Sequence, residues 1–164
     1  SFGGGDGIVA FVVDPAAPFT ASGVRSGADE EISISGTMEF VGSGAEDFAV
    51  CRLASTGGVI DCTSFGFDLG GSNDDVCWGG LAEAVDGHRY LVGAAAGTTG
   101  DPEDRFAVLA LQPTNVVDTG FSGNGRKTIN FAGRAEADAA VACAHIIDIL
   151  SSADRRWRIP ADPL

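Results

Sequence analysis

The chain has 164 residues, with 23 Asp and Glu against 10 Lys and Arg, a net charge of −13. Such a charge repels polyanions, so nucleic acid and anionic membrane surfaces are not expected partners. Apolar residues at 45%, charged residues at 20% and 24 glycines specify a turn-rich globular chain rather than a disordered one, long enough for one domain with a buried core.

No apolar stretch approaches the roughly 20 residues that cross a bilayer, so no membrane insertion is expected. Ser1 to Gly7 has neither the basic nor the apolar region of a signal peptide, and the start at Ser1 rather than Met reads as a mature, processed or excised form. This opening, Ser1-Phe2-Gly3-Gly4-Gly5-Asp6-Gly7, leads into Ile8-Val9. Glu31 to Ser35 and Thr37 to Val41 alternate polar and apolar, predicting strand structure with Gly36 as a bulge or bend. Phe48-Ala49-Val50-Cys51-Arg52-Leu53 reads as a strand, Ala54 to Gly58 as a turn, and Val59-Ile60-Asp61 as the next strand.

Cys51 and Cys62 flank that turn, so a hairpin brings them within bridging range as a candidate disulfide, with four buried free thiols as the alternative. The cysteines at 51, 62, 77 and 143 have no zinc-ribbon or iron–sulfur spacing. Farther along, Asp74-Asp75-Val76-Cys77-Trp78 is strand-like. Val85-Asp86-Gly87-His88 has the Asp-Gly pair of a tight hairpin joining Leu81 to Ala84 with Tyr90-Leu91-Val92.

Phe106-Ala107-Val108-Leu109-Ala110-Leu111 repeats the Phe48 strand 58 residues later, and each run follows an acidic turn. Val116-Val117-Asp118 then matches Val59-Ile60-Asp61. Phe121-Ser122-Gly123 is matched to Phe65-Gly66, and Gly120-Phe121-Ser122-Gly123-Asn124-Gly125 to the chain's own start. A fixed period of tens of residues is the mark of repeat architecture. We read one repeat domain, 1–164, with approximate copies 1–61, 62–118 and 119–164, the second lacking about six residues after Phe65. The Ala-rich stretch 136–150 fits a helical stripe as well as a strand, and copy register favours the strand, since Asp138 to Cys143 falls where Asp74 to Trp78 falls.

These landmarks resemble the delta-60 repeat, with its glycine-aspartate stretch, acidic turn and hairpin. The resemblance implies an all-β fold of propeller-like blades, each of four antiparallel strands, and a secreted or cell-surface protein of bacterial type. Propellers close with about four to eight blades, so three copies make an incomplete ring in one chain. The resemblance therefore implies a binding or assembly module that completes its ring by self-association, with a partner chain, or with the rest of a longer protein. The alternative is a subunit of a secreted hydrolase or other enzyme, with catalytic groups in the propeller channel or in a partner.

No catalytic residue stands out. The chain lacks H-E-x-x-H, G-x-S-x-G, a Walker loop and a Rossmann fingerprint. His88 falls at a hairpin turn, and His145 shares a strand face with Cys143 but makes too few ligands for a metal. The glycine stretches lack the lysine and helix of a phosphate loop, so no cofactor is expected. Acidic clusters lie at Asp29-Glu30-Glu31, Glu46-Asp47, Asp74-Asp75 and Asp101-Glu103-Asp104. Asp74, Asp75, Asp101, Glu103 and Asp104 are the candidate metal ligands, for calcium, against the plainer reading of solvated turns. Trp78, Trp157, Phe19 and Tyr90 are candidate platforms for carbohydrate, although aromatic residues at this density ordinarily pack cores. Arg155, Arg156 and Arg158 around Trp157 read as a basic tail.

Overall fold

The structure, a computed structural model, describes residues 2–14, 17–27, 31–67, 69, 74–79, 81–84, 86–96 and 105–130. Apart from a 3-10 turn at Phe2–Gly5, the described elements are antiparallel strands. Strands β1 (Phe19–Ser26), β2 (Ile32–Phe40), β3 (Ala45–Leu53) and β4 (Val59–Phe65) form one sheet in chain order. The second sheet contains β5 (Asp75–Val76), β6 (Ala82–Glu83), β7 (Arg89–Ala95), β8 (Arg105–Leu111) and β9 (Arg126–Ile129). Because β5 and β6 pair with opposite ends of β7, they share one lane, and this sheet is also four lanes wide.

Each strand follows from its composition. β8 is apolar after Arg105 and buried from Phe106 to Leu111, as a central strand covered on both faces must be. β1 is built of Phe-Thr-Ala-Ser-Gly-Val-Arg-Ser, largely exposed, and occupies an edge. The Asp86-Gly87 hairpin forms as read: Gly87 takes φ 85°, and Ala84 N–H donates to His88 O at 2.8 Å.

The two sheets follow one pairing scheme. Phe48 stands opposite Thr37 on β2, and Phe106 stands opposite Ala94, 57 positions later, on β7. Gly36 opposite Ala49 becomes Gly93 opposite Ala107. The bulge between Ala21 and Gly23 in β1 recurs as the break between β5 and β6, where Gly79 N–H donates to Val92 O at 3.0 Å. The turn after β3 repeats as well: Gly57 N–H reaches Ala54 O at 2.8 Å with φ 91°, and Asn115 N–H reaches Gln112 O at 3.0 Å with φ 60°.

Two sequence expectations need correction. Gly36 is neither a bulge nor a bend, since β2 runs unbroken through it and the bulge lies in β1. A β-carbon at Gly36 would overlap the carbonyl oxygen of Thr20, so the glycine permits close approach of the edge strand. The six-residue difference also lies elsewhere. Leu53 pairs with Val59 as Leu111 pairs with Val117, 58 positions on, yet Cys51 pairs with Cys62 as Leu109 pairs with Arg126, 64 positions on. The first sheet is therefore short by six residues between Val59 and Cys62, before Phe65, and the second fills that space with the loop 118–125. Pairing aligns Phe65 with Ile129, not with Phe121. The sheets are out of phase with the copies read from sequence, the boundary at 61/62 falling inside β4. Strand or helix over 136–150 lies outside the described residues.

The packing has a direction. Phe48 and Val50 on the front of the first sheet enter one cluster with Ala107, Leu109, Leu111, Leu91 and Ala95 on the back of the second. The residues matching Phe48 and Val50 on β8 are Phe106 and Val108, and these face the other way, into a separate cluster with Val92. Ala49 and Met38, on the back of the first sheet, form a third cluster with Ala17, Val13 and Phe19. The sheets thus stack front to back. Two like faces meeting about a local two-fold would have made a sandwich instead.

Candidate functional site

Between the sheets, at the end of β3 and the start of β7, the apolar packing gives way to a polar seam. Arg52 on β3 and Asp61 on β4 are cross-strand neighbours on the front of the first sheet. Arg52 Nε donates to Asp61 Oδ1 at 3.0 Å and its terminal nitrogen to Oδ2 at 2.7 Å, a two-point ion pair. The other terminal nitrogen reaches Glu31 Oε2 at 3.4 Å.

Arg89, on the back of the second sheet and 4% exposed, faces this pair. Its terminal nitrogen donates to Asn115 Oδ1 at 2.7 Å, and its Nε lies 3.6 Å from Glu83 Oε2. Asn115 closes the turn after β8 in the left-handed region, which asparagine tolerates better than most residues, and this aims its side chain inward. The Asp61 carboxyl is held below its ordinary value, first by the Arg52 hydrogen bond. Burial opposes this, while the Arg52 charge, the Asn115 amide and the Arg89 charge assist. The seam therefore links both sheets through charges that would be costly to bury unpaired.

Farther down the interface, Thr37 Oγ1 accepts from Cys77 N–H at 3.0 Å, and Arg126 Nε donates to Gly66 O at 2.9 Å. Ser33 and Ser35 are buried on the first sheet's front, and their Oγ atoms have no hydrogen-bond partner among the described residues.

The candidate residues are scattered. Asp75 is 3% exposed and accepts from Phe67 N–H at 2.6 Å and Ala96 N–H at 3.3 Å, so its carboxylate caps backbone groups. Asp74 is exposed and bridges Glu46 across the sheets. Asp101, Glu103 and Asp104 lie outside the described residues, and among those described no group of three His, Cys, Asp or Glu could hold a metal. His88 holds its own hairpin, with Nδ1 3.0 Å from Asp86 Oδ1 and Nε2 3.7 Å from Asp118 Oδ2. His145 and Cys143 lie outside the described residues, as does the Arg155–Arg158 tail.

The described aromatic candidates share no surface. Phe19 packs on the back of the first sheet, and Trp78 is half-buried at the break between β5 and β6. Tyr90 meets Phe121 edge to face at 5.9 Å on the front of the second sheet. Trp157 lies outside the described residues. Cys51 and Cys62 form a disulfide, and Cys77 is buried.

Sequence reading missed the seam. Arg52, Asp61, Glu83, Arg89 and Asn115 carry no motif and come together only when one sheet stacks on the other. No helix among the described residues is long and apolar enough to cross a membrane. No protein-family model matches the chain, and no curated protein is significantly similar to it.

Proposed function

We propose that the chain is an assembly module, a run of propeller-like repeats that associates with a further polypeptide carrying the remaining sheets. The observation that carries this reading is the front-to-back stack. A contact between two unlike faces leaves one face of each kind at the ends, so the arrangement can go on adding sheets until it closes on itself. A face-to-face sandwich would be complete at two sheets. The shared pairing scheme, matched from the bulge in the first lane to the turn after the third, supports reading the sheets as repeats of one unit, in keeping with the resemblance to delta-60 repeats. The Cys51–Cys62 disulfide favours an oxidising compartment and hence a secreted or cell-surface setting.

Light scattering on the purified chain at micromolar concentration tests the assembly reading. A mass above the 16.6 kDa of one chain, or co-purification of a second polypeptide at fixed stoichiometry, is expected. A stable, partner-free monomer would count against it.

A further inference from the structure

The segment after the first glycine loop runs along the back of the first sheet, and its exposure alternates residue by residue. Ile8, Ala10 and Val12 are exposed, whereas Val9, Phe11 and Val13 are half-buried. Val9 packs against Gly57, and Val13 joins the cluster around Met38 and Ala49. Ile8 at 72% and Val12 at 78% are among the most exposed large apolar side chains described. Alternation of this kind is what a strand in a sheet shows, yet among the described residues no inter-strand hydrogen bond engages 8–13.

The loop before this segment identifies it. Gly7 N–H donates to Phe2 O at 3.3 Å, as Gly125 N–H donates to Phe121 O at 2.8 Å; the first loop is one glycine longer. Asp6 Oδ1 accepts from Ile8 N–H at 3.0 Å, as Asn124 Oδ1 accepts from Arg126 N–H at 3.0 Å. Gly7 and Gly125 take φ 77° and 76°. From the second of these loops the chain enters β9, the fourth lane of the second sheet, paired with β8. The first loop leads into 8–13 in the same way. The faces agree as well: Val9 and Phe11 fall where Lys127 and Ile129 fall, on the front, and here the front is turned towards the back of the first sheet.

The geometry points to residues 8–13 as the fourth strand of a sheet whose other three strands belong to another polypeptide, which binds by adding its third strand alongside. The occupant is defined by what pairs with β9 and β4: an antiparallel strand like Phe106–Leu111 or Phe48–Leu53, with Ile8 opposite the position of Leu109, Ala10 opposite that of Ala107 and Phe11 opposite that of Phe106. Among the described residues a second copy offers no free third strand, because its β3 and β8 are flanked by neighbours on both sides. The occupant assigned is a different chain carrying a three-stranded meander with a free apolar third strand, recognised through backbone hydrogen bonds. This assignment rests on the assembly reading above and names its docking strand.

A synthetic peptide with the sequence Arg105–Gln112, bearing a lysine tail for solubility, is the probe. Hydrogen exchange read by mass spectrometry on the full chain should show added protection confined to 8–13 when peptide is present. In the peptide, Val108→Pro removes the backbone donor that faces Val9, since Ala110 N–H bonds Gly125 O and every second residue of β8 turns the same way. It should weaken binding at least tenfold, whereas Val108→Thr should bind as the parent peptide does. Absence of protection at saturating peptide, or binding retained by the Val108→Pro peptide, would overturn the assignment. Light scattering separates the two readings: association that saturating peptide leaves intact sinks the docking strand and keeps the assembly function, and a partner-free monomer that still takes up the peptide along 8–13 does the opposite.

Discussion

The ring of Phe48, on the front of the first sheet, lies over Gly93 on the back of the second, so close that a β-carbon at Gly93 would sit 2.8 Å from Phe48 Cζ. That β-carbon would also overlap the carbonyl oxygen of Val76, a backbone atom that cannot swing aside. Gly93→Ala is therefore expected to destabilise the chain by about 1–3 kcal/mol, the usual cost of overpacking. Truncation from the other side, Phe48→Ala, should cost about 3–5 kcal/mol by emptying a fully buried site. Urea unfolding of both variants checks this, and a Gly93→Ala protein as stable as the wild type would disprove the close stacking of the sheets.

The seam makes stability depend on acid. The folded state holds the Asp61 carboxyl below its ordinary value of 3.8. A depressed folded pKa adds stability that is complete above the unfolded value and is lost as pH falls through the folded one. Below about pH 3.8 the wild type should lose this contribution, and Asp61→Asn, which has no proton to gain, should lose less on the same descent. Urea midpoints at neutral pH and near pH 3 measure the difference. Equal acid sensitivity in the two proteins would show that Asp61 is not the responsible group.

Asn115 tests the seam from the second sheet. Alanine there meets a left-handed backbone with φ 60° and removes the acceptor for buried Arg89. A loss of about 2–4 kcal/mol is expected, because an interrupted buried charge network costs more than an exposed one. Asn115→Gly relieves the backbone yet still strands Arg89, so it should recover only part of the loss.

Ser35 should behave in the opposite sense. Its hydroxyl is fully buried on the first sheet's front without a partner among the described residues, and a buried unpaired polar group costs about 1–3 kcal/mol. Ser35→Ala leaves the backbone pairing with Val50 intact and removes the orphaned group. Its melting temperature should match or exceed that of the wild type. A clear drop would mean that the hydroxyl is bonded in solution.

Physical reasons separate what the residues disclosed from what they hid. The runs Phe48–Leu53 and Phe106–Leu111 were legible as matching strands because central strands are apolar on both faces, and the Asp86-Gly87 turn because only a few residue pairs close a two-residue hairpin. β1 went unread, since an exposed edge of small polar residues lacks a core-facing period. Phe65-Gly66 resembles Phe121-Ser122-Gly123 locally, whereas the ladder aligns Phe65 with Ile129. Local similarity does not fix register; pairing with a neighbouring strand does. The seam depends on which faces meet, and the order of residues along the chain does not encode this.

The Cys51–Cys62 bridge joins directly opposed residues on β3 and β4, and the hairpin read from sequence placed them there. Cys51 is wholly buried and Cys62 packs partly against the cluster on the back of the first sheet, where Val13 of the N-terminal segment also lies. A reductant must therefore wait for that face to open. Mild dithiothreitol should leave the bridge intact in the native protein and cleave it readily in denaturant. Alkylation of the unfolded, unreduced chain should find at least two fewer thiols than after reduction. Replacing both partners by alanine should cost about 2–4 kcal/mol, in the range usual for a native bridge. Four alkylated thiols without reduction would show that the bridge does not form.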